Sequence, residues 1–447
     1  MRAAFIGDIE TARRHLSDKD KKNGDGDTAL MIAARAGYEN IVELLDPTDW
    51  NGITALMRAA TRSDVEAVRA LIPLQKGKKM IGDTYINGLR ISNGTALMMA
   101  AAHGHAEAVK LLVEEESNIR DSAGRTALLH AVHGNHPGVV EILAAHECGK
   151  RDSNNRTALI IAAERGYAEI VAALALHEKG LADSSGNTAL MLAANNAHIE
   201  AVRVLAEHEK GITNEDGRTA LVHAARAGHR DIAELLMEHE KDVTGWTMLM
   251  CAAALGDVDM VSQHINERGQ KDKLGQTALI LAAQNGRDDV VKFLMKYEGG
   301  ASGWTNLIYA AYLGDVDAVK NNLHEKGCKD ITGLTALMWA AQQSHREPVE
   351  VLLEYEGGMQ DKDGRTALTY AADKGHTECV KLLLEKEGGM RDKEGVTALM
   401  LATLGGHTEC ARILAEREKE IKHPCGTAAF NLAEYRGFTE IVSILSK

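Results

Sequence analysis

The chain has 447 residues, 45% of them hydrophobic and only 4% aromatic, and its formal net charge is −13. This acidic balance argues against nucleic acid as a partner, because non-specific binding to a phosphate backbone depends on clustered Lys and Arg. No segment approaches the run of about eighteen apolar residues that a membrane-spanning helix needs, so membrane insertion is not expected either.

The six cysteines are scattered and form no Cys-x-x-Cys motif, and residues 1–16 lack the apolar stretch of a signal peptide. Both features favour a reduced, cytoplasmic protein.

A short phrase, Thr-Ala-Leu, recurs along the chain. It stands verbatim at Thr28, Thr54, Thr95, Thr126, Thr157, Thr188, Thr219, Thr277, Thr335, Thr366 and Thr397, and in relaxed form at Thr247, Thr305 and Ala428. From Thr95 to Thr219 the interval is always 31 residues. A fixed period of this size indicates stacked supersecondary units.

Each repeat predicts two helices and a turn. Thr95 is a good N-cap for the helix-forming residues that follow it, and Gly104 is suited to end that helix in a left-handed conformation. Apolar residues at helical spacing, such as Val109 and Leu112, predict a second helix. A polar stretch then leads to the next threonine, as residues 150–155 do.

The array divides into three segments in chain order. Residues 1–73 hold the N-terminal repeats, the first of them truncated, since Met1 aligns with Met57. The interval from Thr54 to Thr95 is 41 residues, which predicts an inserted loop over 74–94. This loop is either an inert excursion or a dedicated docking loop. Residues 95–447 continue the repeats, and the prediction is one solenoid overall.

The most specific motifs of the repeat are Thr-Ala-Leu, the Ala100-Ala101 pair, Gly104-His105 and the Asp-x-x-Gly turn from Asp121 to Gly124. Together they resemble the ankyrin repeat over essentially the whole chain. The resemblance implies an all-α ankyrin-repeat solenoid of about fifteen helix-turn-helix units with short connecting turns. It also implies a protein-binding function.

The repeats depart from the usual ankyrin pattern in a specific way. Alanine replaces the usual proline after the threonine, Met98 and its equivalents replace histidine, and the period is shorter than the family's 33 residues. With connectors such as Glu387-Gly388-Gly389-Met390, the chain looks like the ankyrin-only proteins expanded in certain protists, often labelled protein 21.1. Some relatives carry a kinase domain, but these 447 residues contain no kinase motif.

Histidines recur after the predicted turn, at His105, His136, His198, His229, His345, His376 and His407. A metal ladder is disfavoured, because neighbouring helices lie roughly 8–10 Å apart whereas zinc needs donors at about 2 Å. No catalytic set stands apart from the repeat pattern. The sequence therefore predicts no catalytic residues, no metal, no cofactor and no enzyme activity.

Two groups of residues are candidates for protein binding. The aromatic candidates are Trp246, Trp304, Tyr309, Tyr312, Trp339 and Tyr370, which serve either as interface anchors or as fillers between repeats. Four arginines share the position before a repeat threonine: Arg125, Arg156, Arg218 and Arg365. They form either a rim for acidic partners or a solvated row.

The sequence therefore predicts a non-enzymatic scaffold that presents an extended concave surface to one or more proteins. Two alternatives stay open: a regulatory or targeting subunit of a protein kinase, and a cytoskeleton-associated structural spacer.

Overall fold

The computed structural model describes residues 1–446, so Lys447, the last residue of the predicted segment 95–447, lies outside the described residues. The chain forms two compact units, Met1–Thr244 and Gly245–Lys447. Thirty α-helices lie within residues 1–446 and form fifteen consecutive pairs, which confirms the predicted all-α repeat fold.

The N-terminal unit contains sixteen helices, α1 to α16 in chain order. They span Arg2–Ile6, Ile9–Arg14, Ala29–Arg35, Glu39–Leu45, Ala55–Thr61, Val65–Gln75, Ala96–His103, Ala106–Glu116, Ala127–His133, Pro137–Glu147, Ala158–Arg165, Ala168–Glu178, Ala189–Asn195, Ile199–Glu209, Ala220–Ala227 and Arg230–Thr244. A 3₁₀ turn follows α2 at Leu16–Asp18.

The C-terminal unit contains fourteen helices, α17 to α30. They span Met248–Leu255, Val258–Gln263, Ala278–Gln284, Asp288–Ser302, Asn306–Leu313, Val316–Asn321, Ala336–Gln342, Arg346–Glu356, Ala367–Asp373, Thr377–Glu387, Ala398–Leu404, Thr408–Glu418, Ala429–Arg436 and Thr439–Leu445. Two 3₁₀ turns lie at Ile265–Glu267 and Leu323–Glu325.

Each repeat threonine stands immediately before the first helix of its pair, as predicted. Thr157 has an extended backbone, and its hydroxyl accepts a hydrogen bond from the Ile160 N–H. Thr95 has a similar backbone but makes no such bond. The threonine therefore marks the start of the first helix wherever it occurs, while the capping bond forms in only some repeats.

The turn between the paired helices is left-handed, again as predicted. Gly104 ends α7 with a φ of 76°. Asn135 and Ala197 hold the equivalent place with φ values of 55° and 62°. Because Ala is strained there, the packing of the helix pair imposes this conformation even where glycine is absent.

Small side chains allow the helices to pack closely. Ala158, Leu159 and Ala162 of α11 are fully buried, as are Val171 and Leu174 of α12. Leucine supplies apolar area, worth about 1.5–3 kcal/mol for each buried side chain, and alanine sets the close approach.

Residues 74–94 differ from the predicted loop. Helix α6 runs to Gln75, and a β-hairpin follows with strands β1 (Asp83–Ile86) and β2 (Leu89–Ser92). Asn87 and Gly88 form its two-residue turn, both with positive φ. This is the signature of a tight hairpin, and the apolar alternation on either side of it completes the pattern.

Candidate protein-binding surface

A buried glutamate at the end of the second helix fastens neighbouring repeats together. The Oε1 atom of Glu387 accepts a hydrogen bond from the Gly358 N–H in the preceding connector at 2.9 Å. Its Oε2 atom accepts from the Leu368 N–H at the start of its own repeat's first helix at 2.7 Å. Only 1% of Glu387 is exposed. One carboxylate thus joins two repeats and satisfies two main-chain donors.

Within residues 1–446, nine glutamates make this pair of bonds. They are Glu116, Glu147, Glu178, Glu209, Glu240, Glu298, Glu356, Glu387 and Glu418. We call this set the glutamate ladder. Burial raises the pKa of Glu116, Glu209 and Glu387, while their backbone N–H donors oppose the rise. The sequence reasoning missed this set because a glutamate in a polar connector is usually solvated.

The histidines after the turn also join repeats. The Nε2 atom of His376 lies 2.9 Å from the Gln342 carbonyl at the end of the preceding repeat's first helix. His105, His136, His198, His229, His345 and His407 make the same contact. Helix ends leave carbonyls without partners inside the helix, so each imidazole has a structural partner.

The loop before a repeat threonine, here called the finger, is held in most repeats by an aspartate or an asparagine. In the finger 361–365, Oδ1 of Asp361 accepts from two main-chain N–H groups, and its Oδ2 accepts from the Tyr370 hydroxyl at 2.6 Å. Asp330 likewise accepts from the Trp339 indole N–H at 2.9 Å. These two aromatic candidates therefore point their polar atoms at the protein's own fingers.

The aromatic candidates are mostly buried. Trp304, Tyr312 and Trp339 pack against one another with ring centroids 5.2–5.8 Å apart, and Trp339 is fully buried. Trp246 is buried as well, whereas Tyr309 and Tyr370 are partly exposed. The buried rings fill space between helices. A role for the buried rings as interface anchors stays a prediction, because little of their surface is exposed to a partner.

The four arginines are paired with carboxylates. Arg125 and Arg156 contact the aspartates of their own fingers, Asp121 and Asp152, each at 3.0 Å. Arg218 contacts Asp216 at 3.0 Å, and Arg365 lies 3.8 Å from Asp392 in the next finger. Local pairing offsets their charge. A rim for acidic partners accordingly stays untested.

Neighbouring fingers are linked through their main chains. The Ser153 N–H donates to the Ala123 carbonyl at 3.0 Å, and the Lys393 N–H donates to the Asp363 carbonyl at 2.9 Å. Within residues 1–446, no group of three or more His, Cys, Asp or Glu side chains is arranged to hold a metal ion. Every helix in that range is too short or too polar to cross a lipid bilayer.

Helix pairs with left-handed turns and linked fingers define a helical-repeat protein whose recurring polar side chains bond between and within repeats. Models described as "Ankyrin repeats (3 copies)" match residues 1–83, 74–152, 139–214, 206–263, 249–321 and 307–391, and one described as "Ankyrin repeats (many copies)" matches residues 368–415. The chain belongs to the ankyrin-repeat family. No curated protein matches it.

Proposed function

We propose that the chain is a non-enzymatic scaffold that binds proteins through its fingers and first helices. Ankyrin repeats generally mediate protein–protein interaction. The observation that carries the proposal is the linkage of the fingers. Most are closed by an aspartate or an asparagine, and several donate a main-chain hydrogen bond to the preceding finger. A surface ordered before binding loses less entropy when a partner docks.

Most of the recurring polar residues with catalytic potential are already engaged in the fold. The finger aspartates, the histidines after the turn and the ladder glutamates all bond to the protein's own main chain or side chains. This use of the carboxylates and imidazoles supports the proposal of a binding protein rather than an enzyme.

Among the aromatic candidates, Tyr309 is the one we propose to contact a partner. It is partly exposed, and its ring lies beside Trp304 with centroids 6.5 Å apart. Its hydroxyl makes no hydrogen bond within the described part of the chain. A tyrosine fixed by a buried neighbour is a suitable anchor, since little side-chain freedom is lost on binding.

The test compares affinity capture by the full chain, a Tyr309→Ala variant and a Glu385→Ala variant. Glu385 lies exposed on a second helix of the same unit, so it controls for a change away from the proposed surface. Loss of partners with Tyr309→Ala alone, with unchanged helical circular dichroism, supports the proposal. Equal capture by all three proteins removes Tyr309 from the surface.

We also propose that the chain belongs to the ankyrin-only group labelled protein 21.1. Its connectors support this, because they contain the Glu-Gly-Gly-Met sequence on which the resemblance rests. Glu387 joins two repeats, and the Gly389 N–H donates to the next ladder glutamate, Glu418, at 2.9 Å. Alignment of this chain with members of that group tests the assignment. Glutamate and glycine at these connector positions support it, and their absence contradicts it.

A further inference from the structure

The hairpin takes the place of the finger before Thr95 and has one buried face. Ile86 and Ile91 are buried beneath it, whereas Tyr85 on the opposite face is 70% exposed. The Asn87 side chain donates to the Ala102 carbonyl at the end of α7 at 2.9 Å. Packing on one face and contact at the tip hold the hairpin against the repeats.

The outer edge of β2 is occupied. The Ser92 carbonyl accepts from the Ser122 N–H of the following finger at 2.9 Å. The Arg90 carbonyl accepts from the guanidinium of Arg125. Along a hairpin, pairs of residues that bond to each other alternate with pairs whose main-chain groups point outward. Arg90 and Ser92 belong to the outward-pointing pairs, so these carbonyls point away from β1.

The outer edge of β1 is open. In the register that pairs Tyr85 with Arg90 and Asp83 with Ser92, the main-chain groups of Asp83 and Tyr85 also point outward. Within residues 1–446, neither residue's outward N–H or C=O makes a hydrogen bond. The edge therefore offers two donors and two acceptors at the spacing of an extended chain.

Exposed apolar side chains accompany this edge. Ile81, just before β1, is 80% exposed, and its N–H donates to the Asn51 carbonyl at 2.7 Å. The residue before Asn51 is Trp50, which is 88% exposed. Proteins commonly cover or charge such edges, since an open edge pairs with other chains.

The charge beside the edge is negative. Residues 47–52 and 80–86 include Asp49 and Asp83 and contain no Lys or Arg. Asp83 is paired with Arg90. Asp49 is exposed, and its Oδ1 accepts both of its hydrogen bonds, from the Asn51 and Ile53 N–H groups. A partner with a cation near its end would complement this carboxylate.

We propose that β1 binds an extended peptide segment of another protein as a third strand. The segment has apolar side chains at alternate positions, facing Tyr85 and Ile81, and a Lys or Arg beside Asp49. The main-chain groups of Asp83 and Tyr85 supply the hydrogen bonds, as in other cases of strand addition. This site deepens the proposed scaffold function and rests on it only in requiring a protein partner.

The test uses a displayed library of random ten-residue peptides, selected on the full chain. Selected peptides are labelled, and their affinities are measured by fluorescence anisotropy for the wild type and for Tyr85→Pro and Tyr85→Thr variants. Proline removes the outward N–H but leaves the bonds between β1 and β2, whereas threonine keeps that N–H. Thermal unfolding of each variant checks that the fold is intact.

The expected peptides alternate apolar residues and carry a terminal cation. Tyr85→Pro lowers the peptides' affinity at least about tenfold more than Tyr85→Thr does. Alternate N–H groups of an extended peptide point to opposite sides, so N-methylation abolishes binding when it falls on the set that faces β1 and not when it falls on the other set. Peptides that bind both variants equally overturn the site while leaving the scaffold function standing. Dimerisation of the wild type that Tyr85→Pro abolishes, seen by sedimentation, would assign the edge to a second copy and also overturn the proposal.

Discussion

Replacing Glu387 by alanine should weaken the junction between two repeats. The substitution leaves the Gly358 and Leu368 N–H groups without their acceptors, which now lie 2.9 and 2.7 Å away. Each unsatisfied buried donor costs about 1–3 kcal/mol. Removal of a buried charge offsets part of this cost, so we expect a loss of about 3 kcal/mol in the free energy of unfolding.

Glutamine at the same site should cost less, and the chain itself contains the comparison. Gln75 occupies the equivalent place at the end of α6, and its Oε1 accepts from the Leu56 N–H at 2.9 Å. An amide keeps one acceptor oxygen and loses the other. We therefore expect Glu387→Gln to cost about half as much as Glu387→Ala, roughly 1.5 kcal/mol.

Urea unfolding of the full chain, together with hydrogen exchange of the peptides around 358 and 368, measures both effects. Exchange there should accelerate in the alanine variant, because the two amides lose their acceptor. Glu385→Ala is the matched control, since Glu385 is exposed on the same helix. If Glu387→Ala unfolds and exchanges as that control does, the glutamate ladder does not hold the repeats together.

Three further predictions concern other parts of the structure. Tyr370→Phe removes the 2.6 Å bond to Asp361 and should cost about 1.5–3 kcal/mol; a loss below about 0.5 kcal/mol in urea unfolding would contradict this role. Gly186→Ala and Gly217→Ala both place Ala at positive φ, but only the first puts its Cβ 2.8 Å from the next finger's main chain, so it should lower the melting temperature more; equal shifts would rule out the contact. His133 is held neutral by burial, which lowers its pKa to about 3. Its contribution to the free energy of unfolding is therefore complete above pH 6.5 and is lost toward pH 3, by at most about 1.4 kcal/mol per pH unit. His133→Leu should reduce this acid sensitivity in chemical unfolding, and the same pH dependence in the variant and the wild type would refute the prediction.

The sequence predicted the repeat well because its main signals are local. A threonine before an Ala-Leu run marks the start of a first helix, as Thr157 does. A residue that tolerates positive φ marks its end, as Gly104 does. The hairpin was also readable in principle. Asn87-Gly88 between apolar alternations is a strong turn signal for a two-residue hairpin.

The contacts between repeats were not predictable in the same way. Glu387 bonds to Gly358, 29 residues earlier, and to Leu368, 19 residues earlier. Nothing in the local sequence separates such a glutamate from a solvated one. The burial of Trp339 was equally hard to predict, because a rare aromatic residue suggests an interface, whereas this indole N–H donates to Asp330 within the fold. Recurrence of Glu at one connector position was the available clue.

The placement of polar groups explains how the repeats keep a precise surface with so few aromatic residues. The glutamate ladder and the histidines after the turn tie adjacent repeats through main-chain groups that every sequence possesses. Side chains at finger tips and on exposed helix faces take no part in these bonds, so they can change without loosening the repeat. Binding specificity can therefore vary from finger to finger while the buried polar contacts stay fixed, and an open strand edge such as β1 adds a site that recognises a partner's backbone.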